Sequence, residues 1–173
     1  MAQQSFLQAI LPNNDTMDII QGARQQLNTW LPLGYDAYIS VHIRRGDKKP
    51  RWPAYPDNRI PVTDYSMAAE QGWYRLVSNN SSPAIYFASD SSQAMADFRT
   101  TSSWSSTIFS LWDTKYSRYA SSQEYSQSEF AAYGSEETRI QATRGMIVDF
   151  ALLSGAWASD SNIRPSAIVC AIR

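Results

Sequence analysis

Residues 38–48, Tyr38-Ile39-Ser40-Val41-His42-Ile43-Arg44-Arg45-Gly46-Asp47-Lys48, join two patterns that together constrain the fold. The first part is apolar and β-branched with no turn residue, the mark of a buried strand. The second part crowds Arg44, Arg45, Asp47 and Lys48 around a flexible Gly46. A strand that ends this way lies where open α/β sheets bind ligands, in the crevice outside the carboxyl ends of their strands. Adjacent arginines offer planar, bidentate donors that suit phosphate oxygens better than lysine does. The stretch therefore predicts an anionic ligand of the diphosphate kind at this strand end.

The rest of the chain supplies the layers such a strand needs. Asn14, Asp15 and Thr16 are candidate N-caps for a helix over 14–30, with Ile19, Ile20, Ala23, Leu27 and Trp30 at helical spacing. Leu31-Pro32-Leu33-Gly34 stops it, and the first strand follows over 36–43. Pro50, Pro53, Pro56 and Pro61 make 49–62 a long, stiff loop whose aromatics and charges favour a functional role. Helical spacing resumes from Asp64 to Ser78, and Ala84-Ile85-Tyr86-Phe87-Ala88 reads as a second buried strand. Asp90 with Gln93 resembles a capping box for a helix over 91–99. A third strand is expected over 105–111 and a mobile connection with some helix over 113–134. Ser135 caps a helix to about Gly155 that carries Ile140, Ile147, Phe150, Ala151 and Leu153, and Ala167 to Ile172 forms a last strand. Strand and helix alternate throughout, which predicts a parallel sheet covered on both faces.

The 173 residues suffice for one domain with a proper core, and a net charge of −1 gives no global basic field for nucleic acid or an acidic membrane. Any phosphate site must be local. The one cysteine, Cys170, cannot make an intrachain disulfide, and no stretch has the length of a transmembrane helix or the pattern of a signal peptide. Sequons at Asn14, Asn79 and Asn80 lend slight support to a lumenal address.

Several chemistries lack the residues they need. His42 is the one histidine, and Cys170 is remote from it in sequence, so no zinc site is expected. His42 alternates away from Val41 and Ile43 and reads as a structural imidazole rather than a general base. No nucleophile elbow, glycine-rich dinucleotide loop, Walker loop or Asp-x-Asp pair occurs. Asp47 either orients an arginine or meets a ligand hydroxyl; Lys48 reaches a phosphate or stays in water. Asp90 shares the strand-end edge with Arg44 and is read both as helix cap and as ligand contact. Arg45-Gly46-Asp47 is also an integrin-type tripeptide, a weak signal beside a buried strand.

With these residues placed, the chain resembles the α1,2-/α1,6-/O-fucosyltransferase superfamily. Val41-His42-Ile43-Arg44-Arg45-Gly46-Asp47-Lys48 is similar to the His-x-Arg-Arg-x-Asp-Lys signature of the α1,6 branch. Ile85 to Asp90 resembles that branch's second strand motif, and Thr143 to Ser154 resembles its Arg-Gly-…-Asp-…-Leu-Leu-Ser helix. The resemblance implies a Rossmann-like parallel sheet with helices on both faces, the donor-binding half of a GT-B glycosyltransferase. It implies GDP-fucose as donor, inverting transfer to a glycan or glycoprotein acceptor, and no metal. Arg44 and Arg45 match the arginines that grip the donor, the second being the one on which the family most depends. His42, Asp47, Lys48, Tyr65 and Asp90 match donor-side positions, and Asp149 matches an aspartate expected near the guanine.

Departures accompany the likeness. Trp52 stands where the α1,6 enzymes carry a candidate base glutamate, and Ser91 replaces the second aspartate of the strand motif. A Ser-Ser-Gln loop after the last strand, an acceptor-binding half and a membrane anchor are not in these residues. The expectation is a single domain over 1–173 that is a fragment of a longer protein working in the Golgi or another secretory lumen.

Overall fold

A computed structural model describes residues 11–31, 37–46, 60–76, 83–104, 107–120, 132, 135–155 and 164–170, the last stretch as backbone. In chain order the elements are helix α1 (Asn14–Trp30), strand β1 (Ala37–Ile43), helix α2 (Val62–Leu76), strand β2 (Ile85–Ser89), helix α3 (Ser92–Thr101), strand β3 (Ile108–Phe109), helix α4 (Glu136–Ser154) and strand β4 (Arg164–Cys170). Short 3-10 turns occupy Leu111–Asp113 and Ser117–Tyr119. The four strands form one open sheet in the order β3-β2-β1-β4, and every described pairing is parallel. The α/β architecture expected from the alternation of elements is therefore present. The strand order is the one with which doubly wound sheets begin, and it puts the reversal of winding between β1 and β4.

Strand β1 lies inside the sheet and is buried on both faces. Ile39, Val41 and Ile43 are fully buried on one side, where a methyl on Gly72 of α2 would stand 3.8 Å from Ile39 Cδ1. Phe87 of β2 meets Phe98 of α3 with ring centroids 4.8 Å apart. Helices α2 and α3 pack together there, while α1 and α4 pair on the opposite face. Tyr38, Tyr86 and Phe109 cluster on that second face, with centroids 6.0 to 6.4 Å apart.

The second face also ends α4. The last carbonyls of a helix have no partner within it. Here Ala151 O accepts from Arg24 Nη2 at 3.0 Å, Leu152 O from Tyr38 Oη at 2.5 Å, and Leu153 O from Ser40 Oγ at 2.9 Å. Gly155 then turns the chain in the left-handed conformation, φ 68°, that glycine adopts without strain. A buried serine in an apolar strand is thus explained by the helix it terminates.

Several boundaries and faces differ from expectation. Asn13, not one of Asn14 to Thr16, caps α1 by accepting the Thr16 N–H at 3.0 Å. Helix α2 starts at Val62, two residues early, because the Pro61 carbonyl already accepts from Asp64 N–H at 3.1 Å. Strand β3 is cut to Ile108–Phe109 because Asp113 Oδ2 accepts from both Ser110 N–H and Ser110 Oγ, folding the next residues into a turn. Strand β4 begins at Arg164 rather than Ala167; Pro165 sits there on an edge strand beside a register irregularity, where a missing N–H is tolerated. Ile140 and Phe150, expected in the core, are 44% and 45% exposed. Apolar residues surround α4, so periodicity did not select its buried face. Gly145 helps to select it, since any Cβ there would lie 1.9 Å from the Tyr119 carbonyl oxygen.

Two consequences can be measured by urea denaturation. Gly145→Ala raises intrinsic helix propensity by ~1 kcal/mol. The clash with a backbone oxygen outweighs that gain, and the net loss is expected at about 1–3 kcal/mol. Ser40→Ala leaves the buried Leu153 carbonyl without its partner and is expected to cost about 1–3 kcal/mol. Unchanged midpoints would contradict these packing arguments.

Candidate functional site

The parallel register pairs Ile43 with Ser89, so β1 and β2 end side by side and release Arg44-Arg45-Gly46 and Asp90 at one edge. Arg44 is exposed; Arg45, Gly46 and Asp90 are half-buried. Asp90 spans the two strand ends. Its Oδ1 accepts the Arg45 N–H at 2.7 Å and its Oδ2 accepts the Gly46 N–H at 3.0 Å. Arg45 is also held by its side chain, with Nη1 donating to the Ile60 carbonyl at 3.1 Å just ahead of α2.

Asp90 does not cap the helix that follows it, which corrects the capping-box reading. Ser91 is the cap, its Oγ accepting from Ala94 N–H at 3.3 Å. Ser89 Oγ accepts from Ser91 N–H at 3.0 Å. Each side chain of Ser89-Asp90-Ser91 thus has a separate backbone task. The serine immediately before the apolar helical pattern was the available sequence signal for the cap. Nothing in the sequence signals the Ile60 carbonyl as a partner of Arg45.

His42 lies one turn of the pleat below this edge, half-buried on the face that meets α4. Burial depresses its pKa; the Asp90 carboxylate opposes that shift and the Arg44 guanidinium adds to it. Burial thus favours the neutral form of the imidazole. Among the expected site residues the fold therefore assembles His42, Arg44, Arg45 and Asp90.

The others are placed differently. Tyr65 is buried in the core at the start of α2, 6% exposed. Asp47, Lys48 and the proline-rich stretch 49–59 lie outside the described residues. Asp149 projects from α4 to the middle of β2, where Tyr86 Oη donates to its Oδ1 at 2.5 Å. Desolvation by the surrounding protein raises the Asp149 carboxyl to about 7, although the Tyr86 hydrogen bond pulls the other way. Burial and the adjoining carboxylate push the Tyr86 phenol well above its usual value. The pair is far apart in sequence, and no spacing rule could have joined it.

A concavity of about 610 Å3 lies elsewhere, between the Ser117–Tyr119 turn and the first turns of α4. Its arginines are engaged by neighbours: Arg118 donates to Tyr119 Oη at 2.7 Å and Arg144 to Asp15 at 3.1 Å. Among the described residues no group of three or more His, Cys, Asp or Glu side chains is arranged to hold a metal ion, and no helix is long and apolar enough to cross a membrane. Compared with protein-family models, curated proteins and solved structures, the chain matches none.

The Asp149 shift has a defined consequence for stability. Its carboxyl titrates near 7 when folded, against 3.8 for the ordinary group, so the native state holds a proton that the unfolded chain releases. This contribution is greatest at acid pH and is lost as pH rises through about 4 to 7, by an amount on the order of a few kcal/mol. In Asp149→Asn the difference is expected to vanish. Denaturation midpoints of the two proteins, compared across that interval, should diverge with pH; parallel curves would refute the shift.

Proposed function

We propose that this chain is the Rossmann-like, donor-binding half of a GT-B fucosyltransferase that uses GDP-fucose. The observation that carries the reading is a pair of successive arginines directly after the interior strand of a parallel sheet. They emerge beside the strand order's reversal point, where α/β sheets of this kind take nucleotides. The fixed backbone of Arg45 and the anchoring of its side chain at Ile60 give that residue a defined direction. The motif resemblance narrows the anion to a guanosine diphosphate sugar.

In this reading Arg44 and Arg45 grip the β-phosphate. An acceptor hydroxyl of a glycan or glycoprotein displaces GDP at the anomeric carbon with inversion: its oxygen bonds to that carbon, the bond to the β-phosphate oxygen breaks, and its proton is released to water or to the departing phosphate. As the glycosidic bond breaks, negative charge grows on the departing diphosphate, and guanidinium groups already in place stabilise it. The pair supplies this neutralisation without a metal. By resemblance His42, Asp47 and Lys48 join the donor side, whereas Tyr65, buried in the core, and Asp149, hydrogen-bonded to the Tyr86 phenol, are not assigned to it; the working compartment is the Golgi or another secretory lumen. Display of Arg45-Gly46-Asp47 to a receptor fits less well, because Arg45 and Gly46 are half-buried and tied to Asp90.

Calorimetric titration with GDP tests the proposal. Arg45→Lys keeps the charge but loses the bidentate fork, and is expected to weaken GDP binding by about 1–3 kcal/mol. Equal affinity in the variant, or no affinity in the wild type, rejects the site. GDP binding without turnover in a donor-hydrolysis assay would mark a binding domain rather than an enzyme.

A further inference from the structure

We infer that Asp90 is a positioning residue whose carboxylate fills the backbone anion nest at the end of β1, so that a bound diphosphate is gripped by arginine side chains and not by main-chain amides. The inference rests on the diphosphate reading given above and assigns the division of labour within that site.

Two successive N–H groups converging on one anion form the concavity with which many phosphate loops hold their ligand. Here the successive donors are Arg45 N–H and Gly46 N–H, and the anion is internal: Asp90 takes one with each carboxylate oxygen, at 2.7 and 3.0 Å. A phosphate could use these amides only by displacing a carboxylate tethered to the adjoining strand. The side chain is released for this task because Ser91 satisfies the helix N-terminus through the Ala94 N–H. The bidentate clamp fixes the backbone from which the Arg45 side chain departs. The Ile60 carbonyl fixes the guanidinium end at 3.1 Å. Arg45 is thereby ordered before any ligand arrives, which lowers the entropy cost of binding. Asp90 itself need touch nothing on the nucleotide.

Asp90→Asn keeps the shape but replaces one acceptor oxygen with an amide donor that faces a backbone N–H. Asp90→Glu keeps the charge and alters the reach. GDP affinity should fall roughly tenfold in each, and adding Arg45→Lys to Asp90→Asn should cost no more than about twofold beyond the larger single loss. Losses that multiply, or a Glu variant that binds like wild type, overturn the positioning role. Amide hydrogen exchange of the ligand-free protein provides the separate readout. Protection at Arg45 and Gly46 should be present in the wild type and lost in Asp90→Asn, and unprotected wild-type amides overturn the clamp. Wild-type protein with protected amides but no GDP binding would instead reject the diphosphate reading and leave the clamp standing.

Discussion

The C-terminal carbonyls of α4 are tied to the sheet and to α1, and the positions of the other elements follow from that tie. Arg24, Tyr38 and Ser40 each donate to one of three consecutive carbonyls, Ala151 to Leu153. The helix therefore cannot slide along β1 without stranding buried polar groups, which is costly in a low-dielectric interior. With one end pinned, Gly145 sets the depth at which α4 meets the Ser117–Tyr119 turn, because only a residue without Cβ fits against the Tyr119 carbonyl. Polar bonds fix the axial position of the helix, and close packing fixes its rotation.

This arrangement leaves the opposite end of β1 available for chemistry. The strand carries structural donors at Tyr38 and Ser40 and charged groups from Arg44 onward, with His42 between them. Along one strand the environment passes from dry, hydrogen-bonded core to half-exposed loop. At this transition burial favours the neutral form of the His42 imidazole, outweighing the nearby Asp90 carboxylate. Asp90 in turn couples β1 to β2 at their exits, so the interior strands are joined by backbone pairing along their length and by a side-chain clamp at their end.

Asp149 and Tyr86 show how a motif residue can serve the core. Asp149, expected from the sequence to lie near a ligand, is hydrogen-bonded instead to a buried phenol of β2. Its raised pKa follows from desolvation and makes the helix–sheet contact itself sensitive to protonation. Gly145, in the same motif, has a packing role that stands apart from any ligand.

Much of the architecture was legible in the chain. Apolar runs around Val41 and Phe87, separated by capped helical patterns, point to a parallel α/β layer structure, since strands buried on both faces need helices over each. The charge cluster after Ile43 likewise marks where the strand leaves the sheet, and it is there that the structure brings Arg44, Arg45 and Asp90 together. Local pattern could not say which face of α4 turns inward, because its apolar residues encircle it, nor that Ser40 serves a helix end more than a hundred residues away. It also could not show what Asp90 holds, the Arg45 and Gly46 amides of the neighbouring strand's exit. Those outcomes belong to tertiary structure, for they depend on which unsatisfied amides and carbonyls the folded chain brings within reach.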